Sequence, residues 1–232
     1  MILPNLGDMT EFLGFDLETT GVDTETDRIV TASTVYRQVG KSDEEGTNMC
    51  LFNPGVTIPS GATSIHGITT KMAVQHGADP EEELPFFHNL IKGAWSRGVP
   101  LVGCNITFDL SMFAAELRRY DLPEFEVKGP ILDIMVLHRM AGYKKATLAL
   151  MTEHYGVKNT TAHDSTSDVI ATLDVLQTMI AQSAYLQQSN LRDLYMQQQV
   201  SHRIWARNMQ QFFNRIGKKD QVNDEWPLKG VS

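Results

Sequence analysis

Two acidic residues stand at the end of the first apolar run of the chain. Asp16 and Glu18 belong to the segment EFLGFDLE, which Thr-Thr-Gly closes at residues 19–21. Because alternate residues of a β-strand point to the same side, both carboxylates would project from one face where that strand ends. Mg²⁺ and Mn²⁺ bind through such carboxylates together with phosphate oxygens of a substrate. The pair therefore fits a divalent-metal site, and a solvated acidic pair at a strand end is the alternative.

A second motif leaves an apolar strand and enters a helix. Asn105 is a good N-cap residue, and Asp109 would lie in the first helical turn, where the helix dipole keeps a carboxylate ionised. Simple helix capping explains the same two residues. The segment alone leaves a capping role and a catalytic role open.

A third motif, HDSTSD, occupies residues 163–168. Five residues of helix rotate by about 500°, so His163 and Asp168 would lie some 140° apart if both were helical. They can face one site only if His163 precedes the helix. The alternative is a capping box formed by Ser165 and Asp168 behind a loop histidine.

The elements that would carry these motifs alternate as in a mixed α/β domain. Short apolar runs predict strands, and apolar residues spaced by three and four predict helices. The strands are predicted at residues 11–18, 28–38, 47–53, 99–103 and 131–132. The helices are predicted at residues 80–95 and 106–120, from Asp133 as N-cap, from about residue 147 to Gly156, and at residues 164–181. This order predicts a mixed sheet with helices on its faces.

The C-terminal part of the chain has a different pattern. From about Ser183 the sequence is rich in Gln and predicts one long helix, with an interruption near residues 189–190 and an end at Gly217. We therefore divide the chain into a domain of residues 1–182 and a helical extension of residues 183–232.

Apolar and aromatic residues of this extension fall mostly on one helical stripe. Trp205, Phe212 and Phe213 belong to it. An exposed stripe of this kind would promote aggregation. We therefore expect the stripe to dock on the preceding domain, with Trp226 holding the tail.

The composition suits one soluble domain with an extension. Of the 232 residues 42% are apolar, and no stretch reaches the roughly 20 apolar residues of a membrane span. The N-terminal residues lack the basic start and apolar block of a signal peptide. We expect a cytoplasmic protein with no membrane partner.

Cys50 and Cys104 lie in apolar runs, which favours buried free thiols over a disulfide or a zinc site.

The net charge argues against broad electrostatic binding of nucleic acid. The chain has 20 basic and 28 acidic residues, which give a net charge of −8. Proteins that hold nucleic acid by bulk electrostatics carry the opposite sign. Any nucleic-acid role must therefore come from a local site.

Together and in this order, the three motifs resemble those of the DEDDh 3′→5′ exonucleases. This family of the ribonuclease H-like fold includes the proofreading subunit of bacterial replicative polymerase, ribonuclease T and oligoribonuclease. The matching segments are FDLETTG at residues 15–21, NITFD at residues 105–109 and HDSTSD at residues 163–168. The segment SIHGIT at residues 64–69 is similar to one that lies beside the terminal nucleotide in this family. The resemblance covers about residues 11–182 and implies a five-stranded mixed sheet flanked by helices.

The resemblance also implies the catalytic and substrate-binding residues. Two divalent ions, Mg²⁺ or Mn²⁺, would be shared among four acids, with Asp16 contacting both. The implied metal ligands are Asp16, Glu18, Asp109 and Asp168, and the implied general base is His163. The implied substrate-binding residues are Thr19 and Thr20 at the terminal sugar, Ile65 and His66 at the terminal base, Asn105, and Phe108 as a wedge against the last bases.

The implied function is hydrolysis of the terminal phosphodiester of single-stranded DNA, with release of nucleoside 5′-monophosphates. We expect a stand-alone enzyme of DNA replication proofreading or repair, with a polymerase or another replication protein as a partner in trans. Its C-terminal residues DEWP resemble the tails of exonucleases from actinobacteria and their phages. The alternatives are an exoribonuclease that trims short RNA and a non-catalytic replication accessory subunit. The complete set of acids speaks against the accessory subunit.

Overall fold

The computed structural model describes residues 4–43, 46–158 and 164–229. Its strands are β1 (Glu11–Thr19), β2 (Ile29–Gln38), β3 (Thr47–Leu51), β4 (Leu101–Gly103) and β5 (Ile131–Asp133). They form one sheet in the order β3-β2-β1-β4-β5. The first three strands pair antiparallel, whereas β4 runs parallel to β1 and β5 runs parallel to β4. The predicted five-stranded mixed sheet is confirmed.

In the described part of the chain, three α-helices lie between β3 and β4, one connects β4 to β5, and the others follow β5. Within the described residues they are α1 (Ser60–His66), α2 (Thr70–His76), α3 (Pro80–Ser96), α4 (Ile106–Arg119), α5 (Ile134–Met140), α6 (Leu148–Tyr155), α7 (Ser165–Gln182), α8 (Ala184–Gln188) and α9 (Leu191–Arg215). The sequence did not predict α1 and α2, because α1 buries no side chain and α2 buries only Ala73. Among the helices described, none is long and apolar enough to cross a membrane.

The sheet separates two apolar layers, because alternate residues of β1 face opposite sides. Leu13 and Phe15 belong to the cluster that includes residues of α3 and α4, whereas Phe12 belongs to the cluster on the α7 side. Gly14 allows α7 to approach the sheet closely. A Cβ at that position would lie 2.4 Å from Cγ1 of Val169 on α7.

The C-terminal extension packs on the part of the chain that precedes it, as expected from its sequence. Trp226 is 4% exposed, lies in the main core cluster and contacts the Tyr195 ring with centroids 5.1 Å apart. The buried Gln198 of α9 accepts a hydrogen bond from the Asp133 backbone N–H (2.7 Å) and donates one to the Ile131 carbonyl (3.0 Å). These bonds attach α9 to the edge strand β5.

The course of the extension differs in part from the prediction. The interruption is confirmed, since α8 and α9 are separate and the Asn190 side chain caps α9. The prediction that the whole aromatic stripe is covered is wrong, because Phe212 is 44% exposed. The buried side of α9 includes Gln198 and His202, whose polar atoms bond to backbone groups. The predicted stripe contains only apolar and aromatic residues, so it does not include Gln198 and His202.

Both cysteines are free thiols, as predicted, but each is only partly buried. Cys50 lies on β3, which is an edge strand of the sheet. Cys104 follows β4 at the approach to α4.

Candidate active site

Four acidic side chains from three elements converge at one end of the sheet. Asp16 and Glu18 continue the row of β1 residues that faces α7, because they alternate with Phe15 and Leu17. Asp168 lies in the first turn of α7, and Asp109 lies in the first turn of α4. Since β4 runs parallel beside β1, the helix that follows β4 begins at the same edge where β1 ends.

Asp109 is held in place by the neighbouring strand. The Leu17 backbone N–H donates a hydrogen bond to Asp109 Oδ1 (3.1 Å). The Asp109 residue is only 4% exposed. Its burial raises the pKa of Asp109 well above the usual range, while the hydrogen bond from Leu17 opposes that shift. This contact couples α4 to β1 beside the acidic pair.

The four acids act on one another electrostatically. Burial raises the pKa of Asp16 well above its usual value, and the negative charges of Asp109, Glu18 and Asp168 raise it further. Burial, followed by the charges of Asp168 and Asp164, raises the pKa of Glu18 to about 7. The main charges acting on both groups are therefore negative. Such a cluster favours either bound protons or bound cations.

The chemistry of the donor set fits a divalent cation. Carboxylate oxygens are preferred ligands of Mg²⁺ and Mn²⁺, and a pair of carboxylates about 4 Å apart repel by roughly 4 kcal/mol at an effective dielectric of 20. In the part of the chain that the structure describes, no three His, Cys, Asp or Glu side chains are arranged to hold a metal ion as they stand.

Asp133 caps α5 and also braces the second motif. Its Oδ1 accepts hydrogen bonds from the N–H groups of Met135 (3.0 Å) and Val136 (3.4 Å), which confirms the predicted N-cap. The same oxygen accepts the Asn105 N–H at 3.0 Å. Asp133 thus positions the start of α4 as well as its own helix.

Asn105 occupies the N-cap position of α4 but does not cap the helix with its side chain. Its backbone is left-handed, with φ 63° and ψ 40°, and its side chain makes no capping hydrogen bond. Asn is among the few residues that adopt this conformation readily. The predicted side-chain cap is therefore wrong at Asn105. The left-handed backbone conformation at this position explains why the residue is Asn.

The first turn of α7 is capped differently from the predicted alternative. The Asp164 carboxylate accepts a hydrogen bond from the Ser167 N–H (3.1 Å), so the capping box between Ser165 and Asp168 is wrong. The Ser165 hydroxyl is buried and lies 2.7 Å from Ser33 Oγ of β2. The charge of Asp168 raises the pKa of Asp16 and Glu18 on β1.

His163 lies outside the described residues, and its role stays a prediction. The following residue, Asp164, is described. The charge of Asp164 contributes to raising the pKa of Asp16 and Glu18. Asp164 therefore acts on the acidic cluster from the start of α7.

The two threonines of the first motif stabilise the turn after β1. The Thr19 hydroxyl donates to the Gly21 carbonyl (2.6 Å). The Thr20 hydroxyl donates to Asp27 Oδ1 (2.9 Å) and accepts the Arg28 N–H (3.0 Å). Both hydroxyls thus make hydrogen bonds within the protein.

Helix α1 presents one apolar and one aromatic residue beside the end of β1. Ile65 is 57% exposed. His66 Nδ1 accepts the Ile68 N–H at 3.1 Å, while His66 Nε2 is buried without a hydrogen bond among the described residues. Burial lowers the pKa of His66, and the nearby Thr19 backbone partly offsets this shift. A neutral imidazole therefore lies near the first motif.

A cavity of about 460 Å³ adjoins the second motif. Asn105 and Phe108 line one side of it, and Trp205 and Phe213 of α9 line the other. Both α9 residues belong to the stripe predicted to pack on the preceding domain. Trp205 and Phe213 lie far from α4 in the chain, so no local sequence pattern predicts that they line the same cavity as Phe108.

The chain matches the exonuclease family model RNase_T over residues 13–176. It is 31% identical over 175 residues to the DNA polymerase III PolC-type of Caldanaerobacter subterraneus, covering 73% of this chain and 12% of that protein. It is also 31% identical over 175 residues to a DNA polymerase III subunit epsilon-like protein of Rhodobacter capsulatus, covering 72% of this chain and 23% of that protein. The chain thus spans a minor part of the length of these relatives.

Solved structures of Exonuclease I share the fold. The E. coli enzyme in complex with a dT13 oligonucleotide superposes with a TM-score of 0.60 and 20% identity, covering 74% of this chain and 41% of that one. The zinc-bound form of the E. coli ExoI–ssDNA complex gives a TM-score of 0.64 and 19% identity, covering 84% and 44%. The family match contains all three acidic motifs, and the chain therefore belongs to the DEDD 3′→5′ exonuclease family.

Proposed function

We propose that this protein hydrolyses the last phosphodiester bond at the 3′ end of single-stranded DNA and releases nucleoside 5′-monophosphates. The observation that carries the proposal is the convergence of Asp16, Glu18, Asp109 and Asp168, whose charges act on one another. A buried acidic cluster of this kind is unfavourable until cations neutralise it. Family membership and the Exonuclease I–ssDNA structures support the choice of reaction and substrate.

Asp16, Glu18, Asp109 and Asp168 would hold two divalent ions, Mg²⁺ or Mn²⁺, with Asp16 shared between them. Bound divalent ions supply the positive charge that stabilises the attacking and leaving oxygens in phosphodiester hydrolysis. The hydrogen bond from Leu17 keeps Asp109 aimed at this cluster. The zinc-bound Exonuclease I complex supports a metal site in this fold.

The imidazole of His163 would accept a proton from the attacking water. The water oxygen forms a bond to the terminal phosphorus, the bond from that phosphorus to the 3′ oxygen breaks, and the 3′ oxygen takes up a proton. A neutral imidazole is required for this step. The rate should therefore rise with pH through the His163 pKa, and His163→Gln should lose most turnover.

Contacts to the terminal nucleotide would come from around the acids. The backbone at Thr19 and Thr20 would contact the sugar, Ile65 and His66 would line the base, and Asn105 and Phe108 would contact the strand behind it. Stacking on an aromatic ring tolerates any base. This suits an enzyme that must accept every 3′ end.

The biological setting that we propose is replication proofreading or repair. The relatives are a PolC-type polymerase and an epsilon-like protein. A polymerase bound in trans would deliver the 3′ end. Short RNA is the competing substrate, because DNA and RNA differ at this site only by contacts to the 2′-hydroxyl.

The test is to incubate matched 5′-labelled DNA and RNA oligonucleotides with the protein and either Mg²⁺, Mn²⁺ or excess EDTA. We expect stepwise shortening of DNA that requires metal and that Asp16→Ala abolishes while the variant stays folded. Faster turnover of RNA would reassign the substrate. Full cleavage in EDTA would refute the metal-dependent reaction, and cleavage by Asp16→Ala would refute the assigned site.

A further inference from the structure

The cavity between α4 and α9 combines surfaces from both parts of the chain. Phe108 and Thr107 come from the first turn of α4, whereas Trp205, Phe213 and Lys229 come from the extension and its tail. The Lys229 backbone N–H donates a hydrogen bond to Ser111 Oγ of α4 (2.9 Å). This bond closes the tail against the catalytic domain beside the cavity.

A buried polar atom of the cavity wall has no hydrogen-bond partner in the part of the chain that the structure describes. Thr107 is 6% exposed and lines the cavity, and its hydroxyl makes no hydrogen bond among the described residues. The hydroxyl of Ser111, one turn further along α4, is satisfied, since it donates to the Thr107 carbonyl (2.6 Å) and accepts the Lys229 N–H. Buried polar groups normally have partners, so a Thr107 hydroxyl that has none among the described residues marks this wall of the cavity as a place where a bound molecule could supply one.

The charge of the cavity differs from that of the acidic cluster beside it. The chain contains 28 acidic residues, but no Asp or Glu is among the described residues that line the cavity, which include Lys229. The walls also present the rings of Phe108, Trp205 and Phe213. The Arg139 guanidinium lies 3.9 Å from the centroid of the Trp205 ring and helps to fix its orientation. Aromatic rings in a cavity whose described lining includes no carboxylate suit the bases of a polyanionic strand.

We propose that this cavity binds the nucleotides that precede the 3′-terminal nucleotide, with a base stacked on Phe213 or Trp205. This inference rests on the proposed function, because the occupant is the strand whose end lies among the acids. The two sites share the first turn of α4, since Phe108 lines the cavity and the next residue, Asp109, belongs to the acidic cluster. The C-terminal extension is therefore part of the substrate site.

The test compares two adjacent phenylalanines of α9. Phe213 lines the cavity, whereas Phe212 is 44% exposed and is not among the lining residues. Phe213→Ala removes the stacking ring, Phe213→Leu removes the ring but keeps apolar volume, and Phe212→Ala is the matched control. The substrates are ten-nucleotide oligo(dT) and the p-nitrophenyl ester of thymidine 5′-monophosphate, which has no preceding nucleotide.

We expect both Phe213 variants to raise KM for oligo(dT) by roughly 5- to 150-fold, the loss of one stacked base. Their kcat should stay within about twofold, a change too small to represent loss of a catalytic contact. Turnover of the ester should not change, and Phe212→Ala should match the parent protein on both substrates. An unchanged KM for oligo(dT), or an equal loss on the ester, would overturn the inference. If Phe213→Ala does not fold, Phe213→Leu decides.

A binding measurement separates this inference from the proposed reaction. Fluorescence anisotropy of labelled oligo(dT) is recorded in the Asp16→Asn background with Mg²⁺, with and without Phe213→Leu. Weaker binding on Phe213→Leu supports the cavity site even if the parent protein cleaves no oligonucleotide, in which case only the proposed reaction fails. Cleavage by the parent protein with identical binding of both forms overturns the cavity site and leaves the reaction intact.

Discussion

Helix α4 carries two buried carboxylates in contrasting surroundings. Asp109 and Glu116 are separated by about two helical turns and so lie on the same side of the helix. Asp109 faces the acidic cluster, and burial raises its pKa. Glu116 is fully buried and forms ion pairs with Arg28 (2.7 Å) and Arg119. One end of the helix thus concentrates negative charge, whereas the other end neutralises it.

The contrast shows that burial alone does not mark a functional acid. A buried carboxylate that is paired with guanidinium groups of the same chain is satisfied in the folded state, as Glu116 is. A buried carboxylate whose nearest charges are also negative needs a ligand or a proton. The sign of the surrounding charge therefore distinguishes the site at Asp109 from the structural contact at Glu116.

The largest expected effect is on activity. Asp109→Asn should lower the cleavage rate by more than about a thousandfold, as removal of one member of a catalytic unit does. The melting temperature without metal should not fall, because the substitution removes a repelling charge and keeps an oxygen that can accept the Leu17 N–H. Oligonucleotide assays and thermal unfolding test the two parts. Near-normal cleavage would remove Asp109 from the site.

Glu116→Gln should have the opposite effects: it should lower the stability of the fold and leave the cleavage rate unchanged. The substitution should destabilise by up to about 3–5 kcal/mol, because it leaves the guanidinium groups of Arg28 and Arg119, which are 16% and 23% exposed, without their buried partner. Cleavage per folded molecule should be retained. Urea denaturation measures the loss, with Glu25→Gln as the control, since its pair with Arg118 is long (4.0 Å) and exposed. A loss at Glu116 no larger than at Glu25 would contradict the proposed contrast.

Metal ions should stabilise the folded protein through the acidic cluster at Asp109 and not through the ion pairs of Glu116. At about 100 times the dissociation constant, Mn²⁺ should add about 2.7 kcal/mol to the free energy of unfolding. Glu116→Gln should keep this increment, and Asp109→Asn should lose most of it. Unfolding curves with Mn²⁺ and with EDTA give the increments. An equal increment in both variants would place the ion elsewhere.

The last expected effect is a dependence of stability on pH in the absence of metal. The pKa of Glu18 is about 7 in the folded protein against an ordinary value of 4.5. Between these values the folded state binds more protons than the unfolded state, so the free energy of unfolding falls as pH rises. In EDTA the parent protein should lose more stability than Glu18→Gln between about pH 4.5 and 7. Parallel pH curves for the two proteins would contradict the raised pKa.

Much of the fold could be predicted because its signals are local. The predicted strands and the helices from α3 onward agree with the structure to within about two residues. Helices α1 and α2 were missed because they bury almost no apolar side chains, and periodicity detects only buried faces. The aromatic stripe of α9 was misjudged for the related reason that Gln198 and His202 lie on its buried side.

The sequence by itself determined where the acids stand, since Asp16, Glu18, Asp109 and Asp168 occupy the ends of strands and the first turns of helices. Their positions follow from local patterns and chain direction. Only the tertiary structure decided that Asp164 and not Ser165 caps α7. It also decided which residues of the extension line the cavity beside Phe108. Ser165 instead contacts Ser33 of β2, and the cavity is lined by residues of α4 and α9; these residues lie far apart in the chain, and hydrophobic periodicity does not encode such contacts.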